Sequence, residues 1–294
     1  MRMSASLPTH ILQNRFVRLE VMRDAPRILR FSAFGGQNLF ADLGDFAIPT
    51  AYGDFFLRGG HRLWHAPEAM PRTYLPDSSA ALTEIPGGMR LDCPPEPWTQ
   101  IAKSLELTLN PDRAQVLLRH ELRNDGPWPL ELAPWALTMF RLGGVGIFPQ
   151  AQGRVDEAGL LPNRQITLWP YTRLGDPRLT LRDDFLLLRA DPVSPQSSPV
   201  KLGYFNPHGW MAYWLDGVLF VKRFAPRPGA PFPDGGCNTE SYANHQFIEL
   251  ESLGALTRLE PGASLEHFES WEVYPALEES FIPAEIARLL ERAA

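Results

Sequence analysis

Ser104-Leu105-Glu106-Leu107-Thr108-Leu109, then Asn110-Pro111-Asp112, then Gln115 to Arg123, is the stretch on which the fold turns. In its first arm Leu105, Leu107 and Leu109 fall on one side of an extended chain, and Ser104, Glu106 and Thr108 on the other. In the second arm Val116, Leu118, His120 and Leu122 share a side. Between the arms, proline fixes φ and lacks an N–H, while Asn110 and Asp112 offer side-chain bonds to the local backbone. The pattern predicts a half-buried antiparallel hairpin, ended by Asn124-Asp125-Gly126-Pro127.

The same alternation recurs on both sides of the hairpin. Val17, Leu19 and Val21 interleave with Phe16, Arg18, Glu20 and Met22, and Arg27 to Ser32 follows a Pro26 break. Further strands are expected over 130–137, 165–169, 185–189, 209–215, 218–224, 246–251 and 264–273. One segment, 283–292, reads as a helix, with Ile286, Leu289 and Leu290 on one side. The 29 prolines and 23 glycines among 294 residues favour many short strands over helices. So many strands exceed a small barrel, and no repeat suggests a propeller. The expectation is an all-β protein, a large antiparallel sandwich over residues 1–276 with a helical tail over 277–294.

Composition excludes several functions. A net charge of -6 with no basic stripe argues against a nucleic-acid partner. No run approaches the roughly 18 apolar residues of a membrane span. Met1 to Pro8 lacks the apolar core of a signal peptide. Cys93 and Cys237 stand far apart and in no CxxC spacing, and read as free thiols of a reducing compartment or at most one bridge. The reading is a cytoplasmic protein.

Chemistry concentrates in two places. In Phe247-Ile248-Glu249-Leu250-Glu251, period two sends Ile248 and Leu250 into a core and sets both carboxylates on the opposite face. Two acids at i and i+2 repel, which suits a face that binds a hydroxyl-rich ligand; the alternative is a solvated strand face. The second place is Arg58-Gly59-Gly60-His61-Arg62-Leu63-Trp64-His65-Ala66-Pro67-Glu68. On a helix, His61, His65 and Glu68 would present metal ligands on one face, but Gly59-Gly60 and Pro67 oppose a helix, so no metal is expected. Arg58 and Arg62 fit either an anion clamp or structural ion pairs. Trp64, Trp135, Trp210 and Trp214 suit a core or a sugar platform. Lys201 and Lys222 read as ion-pair or cleft residues, His208 and His245 as loop histidines, and Asp234-Gly235-Gly236 as a turn.

The Arg58–Glu68 run, the stretch Asn124-Asp125-Gly126 through Leu132-Ala133-Pro134-Trp135-Ala136-Leu137, and the Phe247–Glu251 run before Leu259-Glu260-Pro261-Gly262 together resemble the galactose mutarotase-like superfamily. They look most like a bacterial branch of it marked by GGHRLW, which also shares Lys201-Leu202-Gly203, Gly209 to Tyr213, Asp234 to Asn238 and Glu240. The resemblance spans about residues 15–275 and implies a β-supersandwich with a sugar cleft. It implies a cofactor-free mutarotase or aldose 1-epimerase, in which a glutamate takes the anomeric proton, a histidine protonates the ring oxygen, and an arginine holds the sugar. Carried over, the base is Glu251 or Glu249 and the sugar-binding arginine is Arg62. Trp135 takes the place of the family's acid histidine, leaving His61 or His65 as the acid. Arg58, Trp64, Trp135, Glu68, Lys201 and Glu240 complete the expected binding set. The alternatives are a sugar-binding protein without catalysis, which Trp135 favours, and a lyase or metal-assisted enzyme using the same cleft.

Overall fold

The hairpin forms as an antiparallel pair, as expected: strands Ile101–Leu109 and Gln115–Asn124 place Leu105 opposite His120, Leu107 opposite Leu118 and Leu109 opposite Val116. In this computed structural model residues 7–275 are described apart from 24, with 278, 279, 286 and 288 beyond them. The expected tail over 277–294 and its helix lie mostly outside the described residues. Ile286 is helical and buried beside Phe185 and Trp210.

Two antiparallel sheets stack, one of eleven strands and one of ten. The centre of the larger sheet runs Gly53–Ala66, Leu130–Arg141, Phe247–Leu253, Thr239–Ala243 and Val200–Tyr204. The hairpin lies in the smaller sheet with Ser264–Tyr274, Val218–Phe224, Trp210–Leu215 and Val145–Pro149. Between the sheets lies the main core, to which Phe31, Phe140, Ile248 and Leu250 come from one side and Leu105, Leu107, Phe220 and Trp271 from the other. Phe31, Phe40, Phe140, Phe220 and Trp271 meet mostly edge to face, which suits the quadrupoles of their rings.

The larger sheet is buried on both faces. A second cluster of Phe55, Trp64, Trp135, Leu137, Met139, Phe247 and Leu253 covers the face away from the smaller sheet. That explains why Phe247–Leu253 is buried at every position while its side chains still alternate. The Gly-Gly run lies within the strand Gly53–Ala66. Its backbone crosses neighbours so closely that a Cβ at Gly59 would stand 2.1 Å from the Ala41 carbonyl oxygen, and one at Gly60 2.0 Å from that of Ile28. Both glycines also have positive φ, at 89° and 67°, so no other residue fits there. The expected strand over 165–169 shortens to Thr167–Leu168 at the sheet edge.

Candidate functional site

Register brings the polar groups of the outer face into two cross-strand rows. Arg62 pairs with Leu137, Leu137 with Glu251, Glu251 with Glu240, and Glu240 with Gly203. One residue pair along, Met139 aligns with Glu249, Glu249 with Tyr242, and Tyr242 with Lys201. Glu240 and Glu251 therefore stand directly opposite each other, a placement that costs free energy unless a cation intervenes. Lys201 is that cation: its Nζ lies 2.9 Å from Glu240 Oε2 and 3.4 Å from Glu251 Oε2. Gly203 makes room, since a Cβ there would meet Glu240 Cγ at 2.9 Å and Cys237 Sγ at 2.8 Å.

A cleft of about 580 Å³ opens above these rows. Arg62, Glu249, Lys201 and Glu68 supply its charged lining, and Trp64, Trp135, Trp169, Tyr74, Tyr171 and Tyr242 its aromatic walls. Arg62 lies over the Trp64 ring at 4.1 Å, donates from Nη2 to Glu249 Oε1 at 3.1 Å and from Nη1 to Met139 Sδ at 2.9 Å. Lys201 Nζ sits between two indoles, 4.8 Å from the Trp135 ring and 4.6 Å from that of Trp169. The tyrosine hydroxyl of Tyr74 donates to Glu68.

Glu251 lies just beneath this surface with no exposure, and Trp135 Nε1–H donates to its Oε2 at 2.8 Å. Its Oε1 has no hydrogen-bond partner among the described residues, and neither do both oxygens of Glu240. The Lys201–Glu240 contact is thus an ion pair without hydrogen-bond alignment. Burial pushes the Glu240 carboxyl well above the usual range, with Glu251 adding to the effect against the pull of Lys201. Burial opposes the Lys201 charge, but Glu251 and Glu240 overcome it and hold the ammonium well above its ordinary value. Burial raises Glu249 to about 7, against Arg62 and with help from Glu251. An acid that changes state near neutrality inside a cleft is suited to proton exchange.

The sequence expectation needs correction at three residues. His61 and His65 alternate with Arg62 and Trp64 and point to the other face of the strand, between the sheets. His61 contacts Thr138 and His120 there, and His65 Nε2 lies 3.7 Å from Glu96. Neither lines the cleft. Arg58 also stays out of it: the positive φ at its bulge turns it to Asp45, at 2.6 Å, and onto the Phe56 ring. The structure brings Arg62, Trp64, Glu68, Trp135, Lys201, Glu240, Glu249 and Glu251 together.

Four residues had not been singled out. Tyr242 was within reach of the sequence, because it follows Glu240 by two in one strand. Trp169, Tyr171 and Tyr74 come from turns or strand edges, where no period marks a direction. His245, read as a loop histidine, lines the mouth.

His61, His120 and Glu269 lie within ligand distance of one another, with their reach between the sheets rather than in the cleft. Their valences are already used. The two Nε2 atoms share a hydrogen bond of 2.8 Å, and Lys222 Nζ lies 2.8 Å from Glu269 Oε1, where a metal cation would meet an ammonium. The set does not fit a metal.

No protein-family model matches the chain, and no curated protein matches it. Solved structures do. A galactose mutarotase-like protein from Lactobacillus casei superposes with a TM-score of 0.61 at 11% identity, over 91% of this chain and 100% of its own. An Escherichia coli protein provisionally called an aldose 1-epimerase gives 0.54 at 13% identity, over 91% and 99%. A galactose mutarotase-like protein from Clostridium acetobutylicum gives 0.51 at 8% identity, over 90% and 94%. Identities this low speak for architecture. The chain has the galactose mutarotase-like fold, with its candidate site on the outer face of the larger sheet.

Proposed function

We propose that the cleft binds a sugar or sugar acid and exchanges protons at its anomeric centre, as a cofactor-free aldose 1-epimerase-type isomerase does. Glu249 is the base. It takes the anomeric hydroxyl proton, the C1–O5 bond breaks, and its electron pair goes to the ring oxygen. Lys201 supplies the proton that this oxygen takes up. An alkoxide is far more basic than an amine, so an ammonium of raised pKa still donates downhill and is fully charged at pH 7. Rotation about C1–C2 and the reverse steps give the other anomer. Arg62 holds hydroxyls or a carboxylate, and the indoles of Trp64, Trp135 and Trp169 offer faces for the ring.

The observation that carries this reading is Glu249 near 7 on the wall of a cleft that also holds an ammonium. The names of structural neighbours support it. The free thiols of Cys93 and Cys237 fit a cytoplasmic setting. Calorimetric titration with aldoses and uronic acids tests it: at least one binds, and Arg62→Ala weakens it. A panel with no binder sinks the proposal. The second reading, binding without turnover, is favoured by the indole and ammonium that both hold Glu251 Oε2.

A further inference from the structure

Directly behind the cleft, between the sheets, lies a second buried lysine cluster. Lys222, from the smaller sheet, has no exposure and donates across the gap to the Ala136 carbonyl at 2.8 Å, the Leu250 carbonyl at 3.1 Å and Thr138 Oγ1 at 3.1 Å. All three acceptors belong to the larger sheet. Its ion pair with Glu269 extends the network, because Ser252 Oγ–H and Trp271 Nε1–H donate to that carboxylate. The His267 carbonyl can only accept, so His120 carries its proton on Nδ1. His120 Nε2 then accepts from His61, whose Nδ1 accepts from Thr138.

The residues that this network grips have cleft residues as sequence neighbours. His61 precedes Arg62, Thr138 follows Leu137, Ala136 follows Trp135, and both Leu250 and Ser252 adjoin Glu251. In an extended strand such neighbours point to opposite faces, so holding one fixes the other. We infer that the Lys222–Glu269 network is the positioning element of the cleft: it pins from behind the three strands that carry Arg62, Trp135, Glu249 and Glu251. Lys222, Glu269, Thr138 and Ser252 are positioning residues and touch no ligand. The inference rests on the cleft being the functional site, but its test needs no ligand.

The indole N–H resonance of Trp135 reports its bond to Glu251, and carboxyl NMR reports the Glu249 titration. Ser252→Ala removes the hydroxyl that contacts His267 and Glu269, and Thr138→Val the one that contacts His61 and Lys222. Both are expected to move the Trp135 resonance and shift the Glu249 midpoint. Val17→Ala, elsewhere in the core, lowers thermal stability without moving either signal. Where a sugar is turned over, Ser252→Ala lowers the rate by about tenfold or more, as misplacement of reacting groups does. If both network variants lower the melting temperature while Trp135 and Glu249 keep their wild-type signals, the network only holds the fold and the inference is overturned. Lys222→Met is the stronger probe; if it does not fold, the two milder variants still decide. A protein that binds no sugar defeats the proposed function and leaves this test standing.

Discussion

Among the described residues, two lysine–glutamate clusters with every member buried lie on opposite faces of the same strands, and they differ in how fully their atoms are bonded. Between the sheets, the polar side-chain atoms of Lys222, Glu269, Ser252 and Thr138 all have partners. Under the cleft, Glu240 has no hydrogen bond at either oxygen and Glu251 lacks one at Oε1. A buried polar group without a partner costs about 1–3 kcal/mol, more when charged. One cluster is satisfied and the other, a strand's thickness away, is left more open, which is the arrangement that the proposed binding role of the second calls for. Electrostatics says the same. Burial alone would raise Glu269, but Lys222, with His267 nearby, holds it well below the usual range, whereas Glu240 and Glu249 are raised.

The largest effect that sharpens this contrast is on stability. Lys222→Met leaves Glu269 buried and uncompensated, and denaturant unfolding is expected to show a loss of about 3–5 kcal/mol. Lys201→Met leaves two facing carboxyls, but burial already raises the Glu240 carboxyl well above the usual range, which lowers the cost of its taking up a proton, and the loss is expected to be about half as large or less. Equal losses would erase the distinction between the clusters. The next effect is on rate. Glu249→Gln is expected to slow anomer exchange by roughly 10²–10⁴-fold, while the fold, followed by circular dichroism, persists.

A smaller effect appears in the pH dependence of stability. Glu249 rises from 4.5 to about 7 on folding, so between those values the folded state holds a proton that the unfolded state has lost. Stability from this group therefore falls as pH rises from 4.5 to 7 and levels off above. Unfolding of wild type and Glu249→Gln across that range should show the difference in slope, with the variant gaining most at pH 8. A constant difference would mean that Glu249 titrates normally. The smallest effect is at a corrected residue: His65→Asn is expected to leave anomer exchange at the wild-type rate, since His65 faces away from the cleft.

How far the sequence reached follows from how each element is made. Period two placed Glu249 and Glu251 opposite Ile248 and Leu250, and the hairpin over 104–123 was visible in the apolar sides of its two arms. The same rule, applied within the Gly59–Glu68 run, would have separated His61 and His65 from Arg62. The glycine pair masked the strand alternation of that run, because close backbone crossings carry no periodic signal. The cleft walls from Trp169 and Tyr171 were hidden for a related reason: turns set their direction by contact, not by repeat. Lys201 and Lys222 looked alike as single lysines. Only pairing across strands shows that one meets an open pair of carboxyls and the other a closed network.

The most direct test of the account is NMR saturation transfer between anomers, on a sugar that calorimetry shows to bind. The account predicts that wild-type protein speeds the exchange above buffer, with the rate rising through about pH 7 as Glu249 ionises, and that Lys201→Met abolishes the gain. A sugar that binds in the cleft and exchanges no faster than in buffer at any pH would contradict it.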